Sequence, residues 1–252
     1  NAFVHVVDHA VVGVDVAAVQ VEQVVFHFLR QRMVFAGFPR PVRRGVVQAQ
    51  KEGRALRRAG QQIACITYTE VAVGEISADV GASPLFHIST IHSFLWSVIR
   101  PFHSDIAAWV AIRIDEKIAE RRAHYDKPRT QAKTKARLEQ EIADLEADLA
   151  AISEVEKFVY GTGSSYAEGI LGHDDILKLT PACVAAHPLL RQLVAKRFPY
   201  IFVDESQDTN PEVVEALRHI AGEHPGLCVG FFGDQMQKIY MSGAGTVPLN
   251  DG

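Results

Sequence analysis

Cysteine is scarce in this 252-residue chain, and the three present, Cys65, Cys183 and Cys228, show neither metal-ligand nor redox spacing. A reducing cytoplasm fits that usage, and Cys65 and Cys228, inside apolar runs, read as small buried thiols. Long hydrophobic runs are missing too. The valine-rich start is broken by Asp8, Asp15 and Glu22, so no stretch approaches the ~18 residues of a membrane span. A basic leader with a cleavage signal is absent, which argues against secretion. There is no excess of positive charge: the net charge of -4 leaves any nucleic-acid affinity to local basic patches. With 48% hydrophobic residues, the chain has the material for one large or two small domains.

What is present begins with Tyr200 to Thr209, YIFVDESQDT, where an apolar run stops at the adjacent acids Asp204 and Glu205. Ile201, Phe202 and Val203 predict a buried parallel strand, and open α/β sheets place ligands at the carboxyl ends of such strands. Two carboxylates there suit metal-assisted phosphoryl chemistry. Asp204 would hold the shell of a magnesium ion, and Glu205 would orient and deprotonate an attacking water. A strand followed by a turn with solvated acids accounts for the same residues.

A second apolar run, Leu227 to Phe232, leads into Gly233, Asp234, Gln235, Met236 and Gln237. Between the two runs, Pro211 to Ala221 predicts a helix with Asn210 as its cap and Pro211 in its first turn. The unit is strand, helix, strand with polar residues at both exits. A carboxamide at Gln237 beside the paired acids would sense a terminal phosphate.

FVDESQDT followed by FFGDQMQKIY resembles motifs II and III of the UvrD/Rep-like superfamily 1 DNA helicases. ACITYTEVAVGEI, Ala64 to Ile76, resembles motif Ia, and STIHSF, Ser89 to Phe94, resembles motif Ib. Four motifs in order are far more specific than one. The resemblance implies an α/β fold, a RecA-like P-loop NTPase domain with a parallel sheet and an inserted helical subdomain. It implies ATP and Mg2+ as cofactors, Asp204 on the metal and nucleotide, Glu205 as base, and Gln237 coupling phosphate state to DNA. Single-stranded DNA is the implied partner, met by Thr67, Tyr68, Thr69, Thr90, His92 and Tyr240. Exposed aromatics and hydroxyls at strand ends suit stacked bases and phosphates. An interior role for Tyr68, His92 and Tyr240 fits their residue types as well.

The sequence departs from that pattern. GxxxxGK[ST], the loop that cradles phosphates, occurs nowhere in the chain. Where it is expected stand Pro39-Arg40-Pro41-Val42-Arg43-Arg44-Gly45, which cannot form the backbone nest. Residues 1–45 are an atypical valine-rich segment, and Asn1 to Phe38 contain no lysine. Val14 to Val16 and Val19 to Val21 suggest strands there. A misread gene start grafted onto a helicase interior is one expectation, and a true but degenerate nucleotide site is the other. Glu70 and Val71 stand where relatives commonly carry asparagine and lysine, and Met241 to Gly245 lack the usual aromatic and arginine. A second RecA-like domain is not expected within these residues.

Between motifs Ib and II, Ile106 to Tyr125 and Gln131 to Tyr160 predict two helices joined by a loop at Lys127 to Thr130. Leu138, Ile142, Leu145, Leu149 and Ile152 form a heptad seam, which favours an antiparallel hairpin. Its cations, Arg121, Arg122, Lys127, Arg129, Lys133, Lys135 and Arg137, suit either phosphate contacts or plain solvation. Tyr160 to Ser165 predict a linker. Gly172 to Leu177 predict a helix start whose acids Asp174 and Asp175 favour the dipole. The expected organisation is residues 46–104 with 161–252 as a partial RecA-like domain and 105–160 as the helical insertion. The expected function is that of a fragment of an ATP-dependent DNA helicase, with a non-catalytic DNA- or protein-binding remnant as the alternative.

Overall fold

The computed structural model describes residues 2–6, 53, 55–80, 83–128 and 130–234. In chain order they form β1 (Ala2–Val6), β2 (Ile63–Thr67), α1 (Glu70–Val80), β3 (Phe86–Thr90), α2 (Ile91–Ile99), α3 (His103–Tyr125) and α4 (Ala132–Ala151). Then come β4 (Val159–Tyr160), β5 (Ile170–Leu171), α5 (His173–Ala186), α6 (Pro188–Arg197), β6 (Tyr200–Val203), α7 (Pro211–Glu223) and β7 (Cys228–Asp234). The fold is α/β, with a mainly parallel sheet in the order β1-β7-β6-β2-β3. Two compact units divide the chain, one within Asn1–Phe94 and Val184–Gly252, the other Leu95–Cys183.

The first unit follows from its apolar runs. Every residue of β2 and of β6 is buried, because parallel strands are covered on both faces. β2 pairs in parallel with β3 and β6, and β6 with β7. Gly230 lets β7 lie close: a Cβ there would stand 3.0 Å from the Phe202 ring and 3.1 Å from Phe232, whose rings meet edge to face at 6.0 Å. On α7, Val213, Val214, Leu217, Ile220 and Ala221 bury one stripe, and Asn210 accepts the Glu212 N–H at 2.8 Å as its cap.

β1, from the atypical segment 1–45, adds an antiparallel strand at the edge of the expected parallel sheet. It pairs antiparallel with β7, Ala2 opposite Asp234 and Val6 opposite Gly230. The chain therefore leaves β1 on the amino-end side of β7, away from the edge where β6 ends. The strands expected at Val14 to Val16 and Val19 to Val21 lie outside the described residues.

Cys228 also corrects its expectation. It is the first residue of β7, its N–H donating to the Pro199 carbonyl at 2.9 Å, and it is half-buried rather than enclosed.

In the second unit α3 buries Ile106, Val110, Ile114 and Ile118, one per turn. α3 and α4 run antiparallel, laced by Arg121 to Glu141 at 2.6 Å, Arg122 to Glu146 at 2.6 Å and the Tyr125 hydroxyl to Glu139 at 2.7 Å. The expected seam is only partly realised: Leu138 and Ile152 are buried, and Ile142, Leu145 and Leu149 are half-buried. The second helix also ends earlier than expected, at Ala151. A short 3-10 turn, Ile152–Glu154, follows, and the extended backbone at Val155 directs the β-branched and aromatic residues after it into β4. β4 pairs with β5 in a separate two-stranded sheet. Gly169, at φ +71°, makes the turn before β5 against the Lys157 carbonyl.

Candidate active site at the carboxyl edge of the sheet

Register gathers the polar residues at one edge. Thr67 and Thr90 are partners at the ends of β2 and β3, and Ile66 lies opposite Val203. The Asp204 N–H continues that ladder, donating to the Ile66 carbonyl at 2.8 Å, which sets Asp204 level with Thr67. Side chains alternate along a strand and paired residues share a face, so Thr90, Thr67 and Asp204 belong to one face of three neighbouring strands. All three are buried, at 7%, 1% and 7% exposure. Asp204 is thus no solvated turn acid.

Glu205 is the only non-glycine residue at positive φ among the described residues, with φ 51° and ψ 39°. A left-handed turn at a residue with a Cβ costs about 1 kcal/mol, and such strain collects where geometry matters. The conformation folds Ser206–Asp208 into a 3-10 turn, closed by the Asp208 N–H on the Glu205 carbonyl at 2.9 Å. Ser206, Gln207, Asp208 and Thr209 are all buried, while Glu205 is half-buried at the lip. The Gln207 amide donates to the Glu205 carboxylate and holds it in place. Sequence reasoning overlooked Gln207. Its signal is a polar run, SQDT, too short between a buried strand and a capped helix to be a free loop.

The edge also carries helix starts. Thr69 is exposed and its hydroxyl accepts the Ala72 N–H at 3.2 Å, capping α1. Thr90 caps α2, accepting the Ser93 N–H at 3.4 Å and donating to Ser93 Oγ at 3.0 Å. Tyr68 and His92 are half-buried beside these caps. Gln237 and Tyr240 lie outside the described residues, six or fewer positions beyond the end of β7.

No set of three His, Cys, Asp or Glu side chains among the described residues is grouped to hold a metal ion. Asp204 and Thr67 nevertheless offer hard oxygen donors, and magnesium takes one or two carboxylates with water and phosphate oxygens. That donor set fits. Cys65 beside them is fully buried, and burial pushes its thiol far up, so it is inert. Cys183 is pushed up to about 11 by burial and by Asp105.

Within the second unit a different polar cluster is built. Asp175 is 3% exposed and accepts from the Tyr166 hydroxyl at 2.8 Å, the Gly172 N–H at 3.1 Å and the Ser164 hydroxyl. Burial first, and then Asp175, push the Tyr166 phenol well up. Lys117 donates to the same phenol, and burial lowers its ammonium. Residues 160–165, expected to be a plain linker, instead leave β4 at Tyr160 and are tied to this acid through the Ser164 hydroxyl. Of the hairpin cations, Arg121, Arg122 and Arg137 are paired with glutamates, and Lys135 lies 4.6 Å from the Tyr125 ring centroid.

Residues 54–244 match the UvrD/REP helicase N-terminal domain. The chain belongs to that family. Gabija protein GajB of Bacillus cereus (strain HuB5-5) is 21% identical over 263 residues, covering 77% of this chain and 38% of that protein. ATP-dependent DNA helicase UvrD1 of Mycobacterium tuberculosis (strain ATCC 25618 / H37Rv) is 31% identical over 136 residues, 48% of this chain and 17% of UvrD1. UvrD1 of Mycobacterium leprae (strain TN) is 25% identical over 233 residues, 77% of the chain and 30% of the relative. The chain thus spans well under half the length of these relatives. The UvrD/REP match takes in Asp204, Glu205, Gln237 and Tyr240 and leaves residues 1–53 outside it. No helix among the described residues is long and apolar enough to cross a membrane.

Proposed function

We propose that this UvrD/REP domain is the ATP-binding part of a helicase that couples ATP hydrolysis to movement along single-stranded DNA and to duplex unwinding. The observation that supports it most is the pairing of buried Asp204 with strained, Gln207-held Glu205 at the edge of a parallel sheet. Magnesium, when bound, supplies charge neutralisation between the outer phosphates. Asp204 holds its shell. Glu205 orients the attacking water and takes its proton, and Gln237 links phosphate state to the DNA face. That face is carried by Tyr68, Thr69, His92 and Tyr240, with Thr67 and Thr90 buried beneath it.

The missing GxxxxGK[ST] string leaves the phosphate cradle unsupplied by these residues. The isolated polypeptide is therefore expected to bind single-stranded DNA without hydrolysing ATP. Anisotropy of a labelled oligonucleotide should show affinity falling with salt at a log–log slope of about -2, as for roughly three phosphate contacts. Salt-insensitive binding would refute the DNA face, and DNA-stimulated ATPase that Glu205→Gln abolishes would refute the incomplete cradle. The non-catalytic remnant predicts DNA binding with no effect of any change at Asp204 or Glu205 on metal binding.

A further inference from the structure

We propose that the Thr67 hydroxyl serves the metal side of this site, as a positioning group for the water shell of a divalent cation at Asp204. The inference rests on the reading of Asp204 given above. Thr67 is 1% exposed, and its Oγ1 has no hydrogen-bond partner among the described residues. A buried hydroxyl left without a partner costs stability, and a valine would fill the same space in the run Ile63 to Ile66 without that cost. With 1% of the residue exposed, the hydroxyl is out of reach of a strand of DNA on the surface. Thr90, on the same face, already uses its hydroxyl with Ser93, so of these two hydroxyls the one without a partner is that of Thr67.

Register places Thr67 level with Asp204 across adjacent strands, about 4.8 Å apart. The two side chains do not bond each other, since Thr67 Oγ1 has no partner. That spacing suits one bridging water that donates to Oγ1 while its oxygen faces the cation. Thr67 would thus hold one water of the ion's shell in place beside Asp204, with no direct bond to the ion.

The test is a Mn2+ titration of the purified chain, followed by the loss of the free-ion electron paramagnetic resonance signal, with urea unfolding in the absence of metal. Wild type should bind Mn2+ in the millimolar range and Asp204→Asn should lose it. Thr67→Val should weaken binding about fivefold or more, Thr67→Ser should stay within about twofold, and Thr67→Val should raise the urea midpoint. Unchanged Mn2+ affinity in Thr67→Val, with binding lost in Asp204→Asn, would overturn the role of Thr67 and leave the site intact. A lowered urea midpoint would overturn it as well, because the hydroxyl would then be satisfied within the fold. Absence of Mn2+ binding in wild type would overturn both this inference and the reading beneath it.

Discussion

Asp174 and Asp175 are adjacent and chemically identical, yet the structure gives them opposite fates, which makes their replacement an internal control. Asp175→Ala strands three donors. The Gly172 N–H is buried and can find no water, worth about 1–2 kcal/mol; the buried Tyr166 O–H adds about 1 kcal/mol; exposed Ser164 re-solvates for about 0.5 kcal/mol or less. The loss is therefore about 3 kcal/mol. Asp174 is exposed in the first turn of α5, where it meets the helix dipole, so Asp174→Ala should cost about 0.5 kcal/mol. The assay is urea unfolding by tryptophan fluorescence. Both tryptophans, Trp96 and Trp109, belong to the unit that holds Asp175, so the signal reports that unit. In thermal terms a loss of 3 kcal/mol in an ~90-residue unit is a fall of roughly 12 °C or more. Equal losses for the two variants, within about 1 kcal/mol, would refute the network and restore the simple capping account.

Glu205→Gly relieves the left-handed strain but strands the buried Gln207 amide, so it should lose about 1 kcal/mol, whereas Glu205→Val strands the same amide and keeps the strain, so it should lose more than about 2 kcal/mol; the urea midpoints of the two, read by far-ultraviolet circular dichroism, decide. Arg191, 8% exposed, donates to Glu223 and to the Val184 and Ala185 carbonyls, so Arg191→Met should cost about 3 kcal/mol in urea unfolding followed by far-ultraviolet circular dichroism, since its unit carries no tryptophan. The hydrogen bond from Arg191 holds the Glu223 carboxyl below its ordinary 4.5, so its contribution is present above that pH and fades as acid carries the folded group through its lowered value. Glu223→Gln should therefore flatten the fall of stability below pH 4.5, and an unchanged acid limb would contradict the pairing.

Much of the fold was legible because fully covered parallel strands leave unbroken apolar runs. Ile63 to Thr67, Tyr200 to Val203 and the run into Asp234 announce themselves this way, and Asn210-Pro211 marks the start of α7 by local chemistry alone. The antiparallel placement of β1 was not legible, since alternation along a strand says nothing of its direction. Nor was the division between Asp174 and Asp175, which depends on Ser164 and Tyr166 folding back from outside the helix. At the edge itself, the acids showed in the sequence but the left-handed turn at Glu205 did not, because no glycine or asparagine marks it. Thr69 and Thr90 illustrate a further limit. A threonine before a helix reads equally as a cap and as a phosphate contact, and both are engaged as caps.

The central claim is that Asp204, Glu205 and Gln237 meet one divalent ion and its phosphates at a single sheet edge. A crystal structure of the chain soaked in Mn2+ tests it most directly, through the anomalous peak of the ion. The account predicts a peak about 2.2 Å from an Asp204 carboxylate oxygen, with the Gln237 amide on the same edge. A peak elsewhere, or a Gln237 amide across the sheet from Glu205, would contradict it.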